Sequence, residues 1–148
     1  EVFVFVFFGL VATIGSAYVQ VEEITGLATL AAIGVGFLAV ALLVTNNLRD
    51  LAADAVVGKN TLAVRMGDRP TRLLFAALLV GAFVFVLLMV PSRRWAMLAL
   101  GAAPLAIAPV RSVLDGAVGG KLIEVLGATG KLQLAYGVLL SIGLWISA

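Results

Sequence analysis

Hydrophobic and polar positions along this chain fall into blocks rather than alternating. Apolar runs long enough to cross a bilayer as helices, about 20 residues each, occupy roughly 2–20, 25–47, 73–90, 95–110 and 131–147. Polar residues collect between them: a turn around Glu22 and Glu23, a segment over 48–72, a turn at Arg93 and Arg94, and a segment over 111–131. This blocking predicts an all-α protein, a polytopic transmembrane bundle of about five helices. The fourth run is the shortest and carries Pro104 and Pro109, which predicts a kinked or tilted helix. Small residues recur at helix-packing spacing in "AAIGVGFLAV" and at Gly101, Ala102 and Ala103. In lipid such residues let helix backbones approach closely, so the spans are expected to pack on one another. No internal repeat is visible.

Composition agrees with the pattern. The chain has 148 residues, of which 63% are hydrophobic and 12% charged, with a mean hydropathy of +1.18. Soluble domains carry about 25% charged residues. The eight charges of 48–72 would cost on the order of 20 kcal/mol in lipid at about 3 kcal/mol each, so that segment must leave the hydrocarbon. Lys and Arg counts orient the chain. One side receives Arg49, Lys59, Arg65, Arg69, Arg72, Arg111, Lys121 and Lys131, and the other only Arg93 and Arg94. Eight against two predicts that the loops 48–72 and 111–131 are cytoplasmic, in a cell membrane. Cysteine and histidine are both absent, which excludes disulfides, thiolate catalysis, serine–histidine triads and imidazole-ligated zinc. The net charge of +2 with no basic run gives no reason to expect nucleic acid as a partner. The chain opens on Glu1 directly before an apolar run, without an initiator Met or a signal-peptide pattern. It reads as the C-terminal portion of a longer membrane protein.

The remaining chemistry gathers in "TNNLRDLAADAVVGKNTLAVRMGDRPTR", residues 45–72. On a helix Asn46, Asp50 and Asp54 drift slowly around one face, presenting an amide oxygen and two carboxylates at the end of the second span. Two carboxylates so close repel unless a cation lies between them. Mg²⁺ fits, because it takes oxygen ligands and is typically held by one or two carboxylates plus substrate phosphates. Lys59, Arg65 and Arg49 would supply positive charge for phosphate oxygens. In an arbitrary protein a D-x-x-x-D pair at a helix end is usually solvated surface. Here it caps a membrane span, where ionisable residues are functional candidates. "VVGKNT" is not a phosphate-binding P-loop, since position 53 is Ala and position 60 is Asn.

The pattern N-N-L-R-D-x-x-x-D-x-x-x-G-K-x-T-L-A-V-R-M-G, from Asn46 through Asn47, Arg49, Asp50, Asp54, Gly58, Lys59 and Thr61 to Gly67, resembles the second aspartate-rich motif of the UbiA-type intramembrane prenyltransferases. It is most similar to the branch that acts on 1,4-dihydroxy-2-naphthoate in menaquinone synthesis. "EVFVFVFFGLVATIGSAYVQ" and, more weakly, "ATGKLQLAYGVLLSIGL" resemble that branch too. The resemblance implies that residues 1–148 are the C-terminal five helices of a single nine-helix prenyltransferase domain. It further implies transfer of a polyprenyl group from its diphosphate to the naphthoate ring with loss of CO₂. Mg²⁺ would be held by Asp50, Asp54 and Asn46. The diphosphate would meet Asn46, Asn47, Arg49, Lys59 and Arg65, with Asp50, Asp54 and Lys59 as the residues on which catalysis depends; Arg49 either pairs with diphosphate or steers the aspartates. The family's other motif, N-D-x-x-D-x-x-x-D, binds a second Mg²⁺ and is absent here. The implied partners are therefore polyprenyl diphosphate, the aromatic acceptor, membrane lipids and the N-terminal half of the same protein, and the chain alone is expected to be inactive.

Two alternatives stand beside this reading. One is a relative using 4-hydroxybenzoate, homogentisate or another acceptor; the other is a transporter half or channel subunit, which would more naturally bury charge in mid-span. Tyr18, Gln20, Trp95, Trp145, Arg93 and Arg94 read as interface anchors. Asp115, Lys121 and Glu124 read as surface charges on a segment, 111–131, that is expected to contain a short helix lying on the membrane surface over the site.

Overall fold

The computed structural model describes residues 1–147, and among these every element is helical. Helix α1 spans Val2–Val21, with a π-helical stretch at Phe5–Val11. After a turn in which Glu22 is left-handed (φ +55°), the Thr25 hydroxyl accepts from the Ala28 N–H at 3.1 Å and caps α2, Gly26–Val56. A short α3, Leu62–Met66, precedes α4, Asp68–Met89. A 3₁₀ helix, Arg94–Ala102, and α5, Pro104–Leu114, form one bent unit, and α6, Gly120–Ile146, closes the described chain. Four of these elements are long and apolar enough to cross a membrane, and the bent unit passes the same test when its two halves are counted as one span, which gives the five that the apolar blocks predict.

The fourth span breaks by 46° at Pro104, which occupies the first position of α5 and has no N–H to continue the preceding helix. Ala96, Ala99 and Ala102 are all buried. Their three-residue spacing is the period of a 3₁₀ helix, so one row of methyls lies against α6. The crossing is so close that a Cβ on Gly143 would collide with the Trp95 carbonyl.

Helix α2 is the central post. It contacts α1, α4 and α6 and buries residues on several faces, from Ala31 and Ala32 through Leu38, Val44 and Leu48. Helices α4 and α6 each bury one stripe: Phe75, Leu79, Ala82, Val86 and Met89 on α4, and Leu122, Val125, Leu132, Tyr136 and Leu140 on α6. Steps of three and four residues are what a single helix face requires. At the α1–α2 crossing a Cβ on Gly9 would stand 2.5 Å from the Gly36 Cα. Glycine is needed there, and the small residues of "AAIGVGFLAV" do serve close packing. Buried polar groups are satisfied internally: Thr45, Thr71 and Thr129 donate to the carbonyl four residues back, and Tyr136 donates to the Ala82 carbonyl at 3.1 Å. No buried side-chain N or O among the described residues lacks a partner, as a lipid environment demands.

Helix ends depart from the hydropathy boundaries. Residues 48–56 continue α2 and 68–72 begin α4, so the polar segment 48–72 is mostly helical rather than loop. Likewise α5 runs to Leu114 and α6 starts at Gly120, leaving only 115–119 between them. No separate surface helix occupies 111–131; its second half is the start of α6, and Lys131 stands within that helix. The physical reason is that hydropathy marks where lipid ends, whereas a helix stops where its backbone is turned. Here that happens at Gly58 (φ +72°) and Gly116 (φ +90°). The expected interface anchors Tyr18, Trp95 and Trp145 are exposed at one end of the bundle, opposite the end that carries Asp50 and Asp54.

Candidate functional site

A helix of 31 residues is about 46 Å long, against roughly 30 Å of hydrocarbon. The last turns of α2 therefore stand clear of the apolar layer. Leu48 is buried and Leu51 packs on the core, which keeps this overhang docked, and its polar residues follow the same face inward. Asn47 and Asp54 are both 7% exposed, Asp50 is half-buried between them, and Asn46 is half-buried with its side chain making no hydrogen bond. The inward line at this end is thus Asn47, Asp50, Asp54.

Each aspartate has a cation. Arg49 grips Asp50 with a two-pronged pair, Nε to Oδ1 and Nη2 to Oδ2, both 2.8 Å. The Lys59 ammonium lies 3.2 and 3.1 Å from the two Asp54 oxygens. Lys59 is delivered by the backbone. The Lys59 N–H donates to the Asp54 carbonyl at 2.9 Å and the Gly58 N–H to the Ala55 carbonyl at 3.3 Å, with Gly58 left-handed between them. This is a Schellman helix stop, and it folds the residue after the glycine back alongside the last turn. Thr61 then caps α3, its hydroxyl accepting from the Val64 N–H at 3.3 Å. Arg65, in the last turn of α3, is exposed and has no polar partner among the described residues.

Two polar residues that sequence reasoning did not single out belong to this end. Glu1 accepts a 2.9 Å hydrogen bond from the Asn47 amide nitrogen, 46 positions away. Arg72 is buried. It binds Asp68 through Nε and Nη2 at 2.7 and 2.8 Å, and its Nη1 donates to the Val113 and Ala117 carbonyls at 2.7 and 3.0 Å. The Asp68–Arg72 spacing was visible in the sequence, but its tie to the end of α5 was not. Nothing in the sequence pairs Glu1 with Asn47. Asp115, Lys121 and Glu124 line an open cavity of about 630 Å³ on the same end, and none forms an ion pair among the described residues.

Among the described residues no three carboxylates converge on one point. What α2 offers is two carboxylates one turn apart, each paired with a cation. That donor set is too small to enclose a metal by itself. It fits a hard divalent ion such as Mg²⁺, which keeps waters and takes phosphate oxygens to complete its shell. The pairing of Asp50 with Arg49 and of Asp54 with Lys59 also means that an arriving ion and its anion would release two cations at the place where phosphate charge arrives.

Residues 1–121 match the profile of the UbiA prenyltransferase family. A 1,4-dihydroxy-2-naphthoate octaprenyltransferase from Mycobacterium leprae is 41% identical over 93% of this chain and 47% of its own length. Proteins of the same name from Escherichia coli and Bacillus subtilis are 36% and 28% identical, each over 99% of this chain and 48% of the relative. The chain spans about half the length of the curated relatives it matches. No solved structure matches it significantly.

Proposed function

The chain belongs to the UbiA prenyltransferase family, and from that premise we propose that it is the C-terminal part of a membrane enzyme that moves a polyprenyl group from its diphosphate to 1,4-dihydroxy-2-naphthoate, releasing CO₂. The observation that carries this reading is the pair Asp50 and Asp54 on the overhang of a membrane helix, with Lys59 folded against them by the glycine stop. The names of the relatives favour naphthoate as acceptor over other aromatic rings.

In this reading the allylic C–O bond breaks to leave a delocalised cation and a diphosphate, the naphthoate ring carbon bonds to that cation, and the carboxylate on the same carbon departs as CO₂. Asp50 and Asp54, with Asn46 or Asn47 as a neutral oxygen donor, would hold Mg²⁺. When bound, Mg²⁺ supplies Lewis-acid neutralisation of the leaving diphosphate. Lys59 and Arg49 exchange their carboxylate partners for diphosphate oxygens, and Arg65 adds a more distant positive charge. An open, mostly apolar groove of about 650 Å³ against α6, bordered by Val35, Gly130, Leu134 and Gly137, offers a surface along which a prenyl tail could lie in the membrane. The N-terminal half of the full protein supplies the other aspartate motif, so this chain alone would be inactive. The Asp50 end faces the cytoplasm, and the bundle sits in the cell membrane.

Purified full-length protein carrying Asp50→Ala or Asp54→Ala should lose prenyl transfer by at least about a hundredfold while keeping its helical spectrum and melting behaviour in detergent. Full activity in both variants would end the metal–diphosphate assignment.

A further inference from the structure

Resting on that reading of the α2 overhang, we propose that Glu1 is a positioning residue of the site: its carboxylate fixes the Asn47 amide so that the amide oxygen is held as a neutral ligand beside Asp50 and Asp54. The contact is the 2.9 Å hydrogen bond from Asn47 Nδ2 to Glu1 Oε1. An ionised carboxylate can only accept, so Glu1 dictates which end of the amide it receives, and Oδ1 is left facing elsewhere. That oxygen has no hydrogen-bond partner, yet no buried side-chain oxygen among the described residues is unpartnered. Oδ1 therefore retains access to the space it faces. Asn47, Asp50 and Asp54 are spaced i, i+3 and i+7, so the side chain that carries this oxygen leaves α2 on the same face as the two carboxylates.

The docking of α1 explains why Glu1 can do this. The Gly9–Gly36 crossing brings the two backbones together, and Phe5 stacks on Phe37 with ring centres 5.6 Å apart. From that crossing Glu1 is eight residues back along α1 and Asn47 eleven residues on along α2. At 1.5 Å per residue those are rises of about 12 and about 16 Å in the same direction, which puts both near one level. Glu1 does not act as a direct third carboxylate, because no three acids converge here. Its influence passes through Asn47, as an outer partner orients an inner ligand.

The test measures binding rather than turnover: Mg²⁺ titrated calorimetrically into full-length protein in detergent with inorganic pyrophosphate present. Glu1→Ala and Asn47→Ala should each weaken Mg²⁺ binding by about tenfold, whereas Glu1→Gln, whose amide oxygen still accepts from Asn47, should stay within about twofold of wild type. The double variant should be no weaker than either single one, because the two residues act as one unit. Should Glu1→Ala not fold, Glu1→Met keeps the length without the acceptor and carries the same expectation. Unchanged affinity on removing the Glu1 carboxylate, or additive losses in the double variant, overturns the role. Asp50→Ala separates the two levels: if it abolishes binding while Glu1→Ala leaves the affinity unchanged, only the positioning role falls, and if Asp50→Ala also binds normally, the site itself is wrong.

Discussion

Gly58 decides where Lys59 goes. With φ at +72° it stops α2 and turns the chain so that the next residue lies back along Asp54. Alanine at that position would be held left-handed at a cost of about 1–2 kcal/mol, or would open the turn and release Lys59. In the full-length enzyme proposed above, Gly58→Ala should thus lower the melting temperature and raise the apparent KM for prenyl diphosphate more than it lowers kcat. Steady-state kinetics at saturating acceptor would show this, and an unchanged KM would mean that the lysine finds the site without the turn. The aspartates, the lysine and the glycine were all legible as a charged cluster following a span. Their facing was less so. A step of eight residues drifts about 80° around a helix, whereas a step of seven returns within about 20°. The line through Asp54 therefore reaches Asn47 more closely than Asn46, and Asn47 is the buried one.

Arg72 is the strongest link between elements at the site end. One guanidinium joins the first turn of α4, through Asp68, to the Val113 carbonyl of α5 and the Ala117 carbonyl of the turn that follows. Removing it would leave the Val113 and Ala117 carbonyls without this donor. Arg72→Gln should destabilise the bundle by about 2 kcal/mol. Lysine should restore only part of that, because a single ammonium cannot reproduce the planar fork; a thermal melt of the three proteins in the same detergent checks the order. Five spans were readable from apolar block length, and a kink in the fourth from Pro104 and Pro109; the break falls at Pro104. Where helices end was not readable from hydropathy. Residues 48–56 are polar or mixed but have no residue that stops a helix, and α2 carries on to the positive-φ Gly58, whereas Gly127 and Gly130 keep negative φ and leave α6 unbroken. The 3₁₀ form of Arg94–Ala102 likewise follows from tight alanine packing on α6 that no local propensity announces.

At the scale of the whole molecule the lysines and arginines predict which end faces the cytoplasm. The absence of cysteine makes this easy to test. Asp115→Cys and Glu23→Cys should label oppositely with an impermeant maleimide: the first only in inside-out vesicles, the second only in right-side-out ones. The reverse pattern would invert the orientation and move the site to the other face. The number of spans comes from counting residues, but the docking of α1 on α2 does not. It depends on two glycines 27 positions apart meeting backbone to backbone, and so does the approach of Glu1 to Asn47. That crossing has a mechanical meaning. Glu1 lies eight residues before Gly9, so the two glycines form a fulcrum with an arm of about 12 Å. A swing of α1 by about 5° at the pivot would carry the Glu1 carboxylate by about 1 Å, enough to take it out of hydrogen-bonding range of Asn47. A single added methyl at Gly9 should therefore weaken Mg²⁺ binding as Glu1→Ala does, by leverage alone.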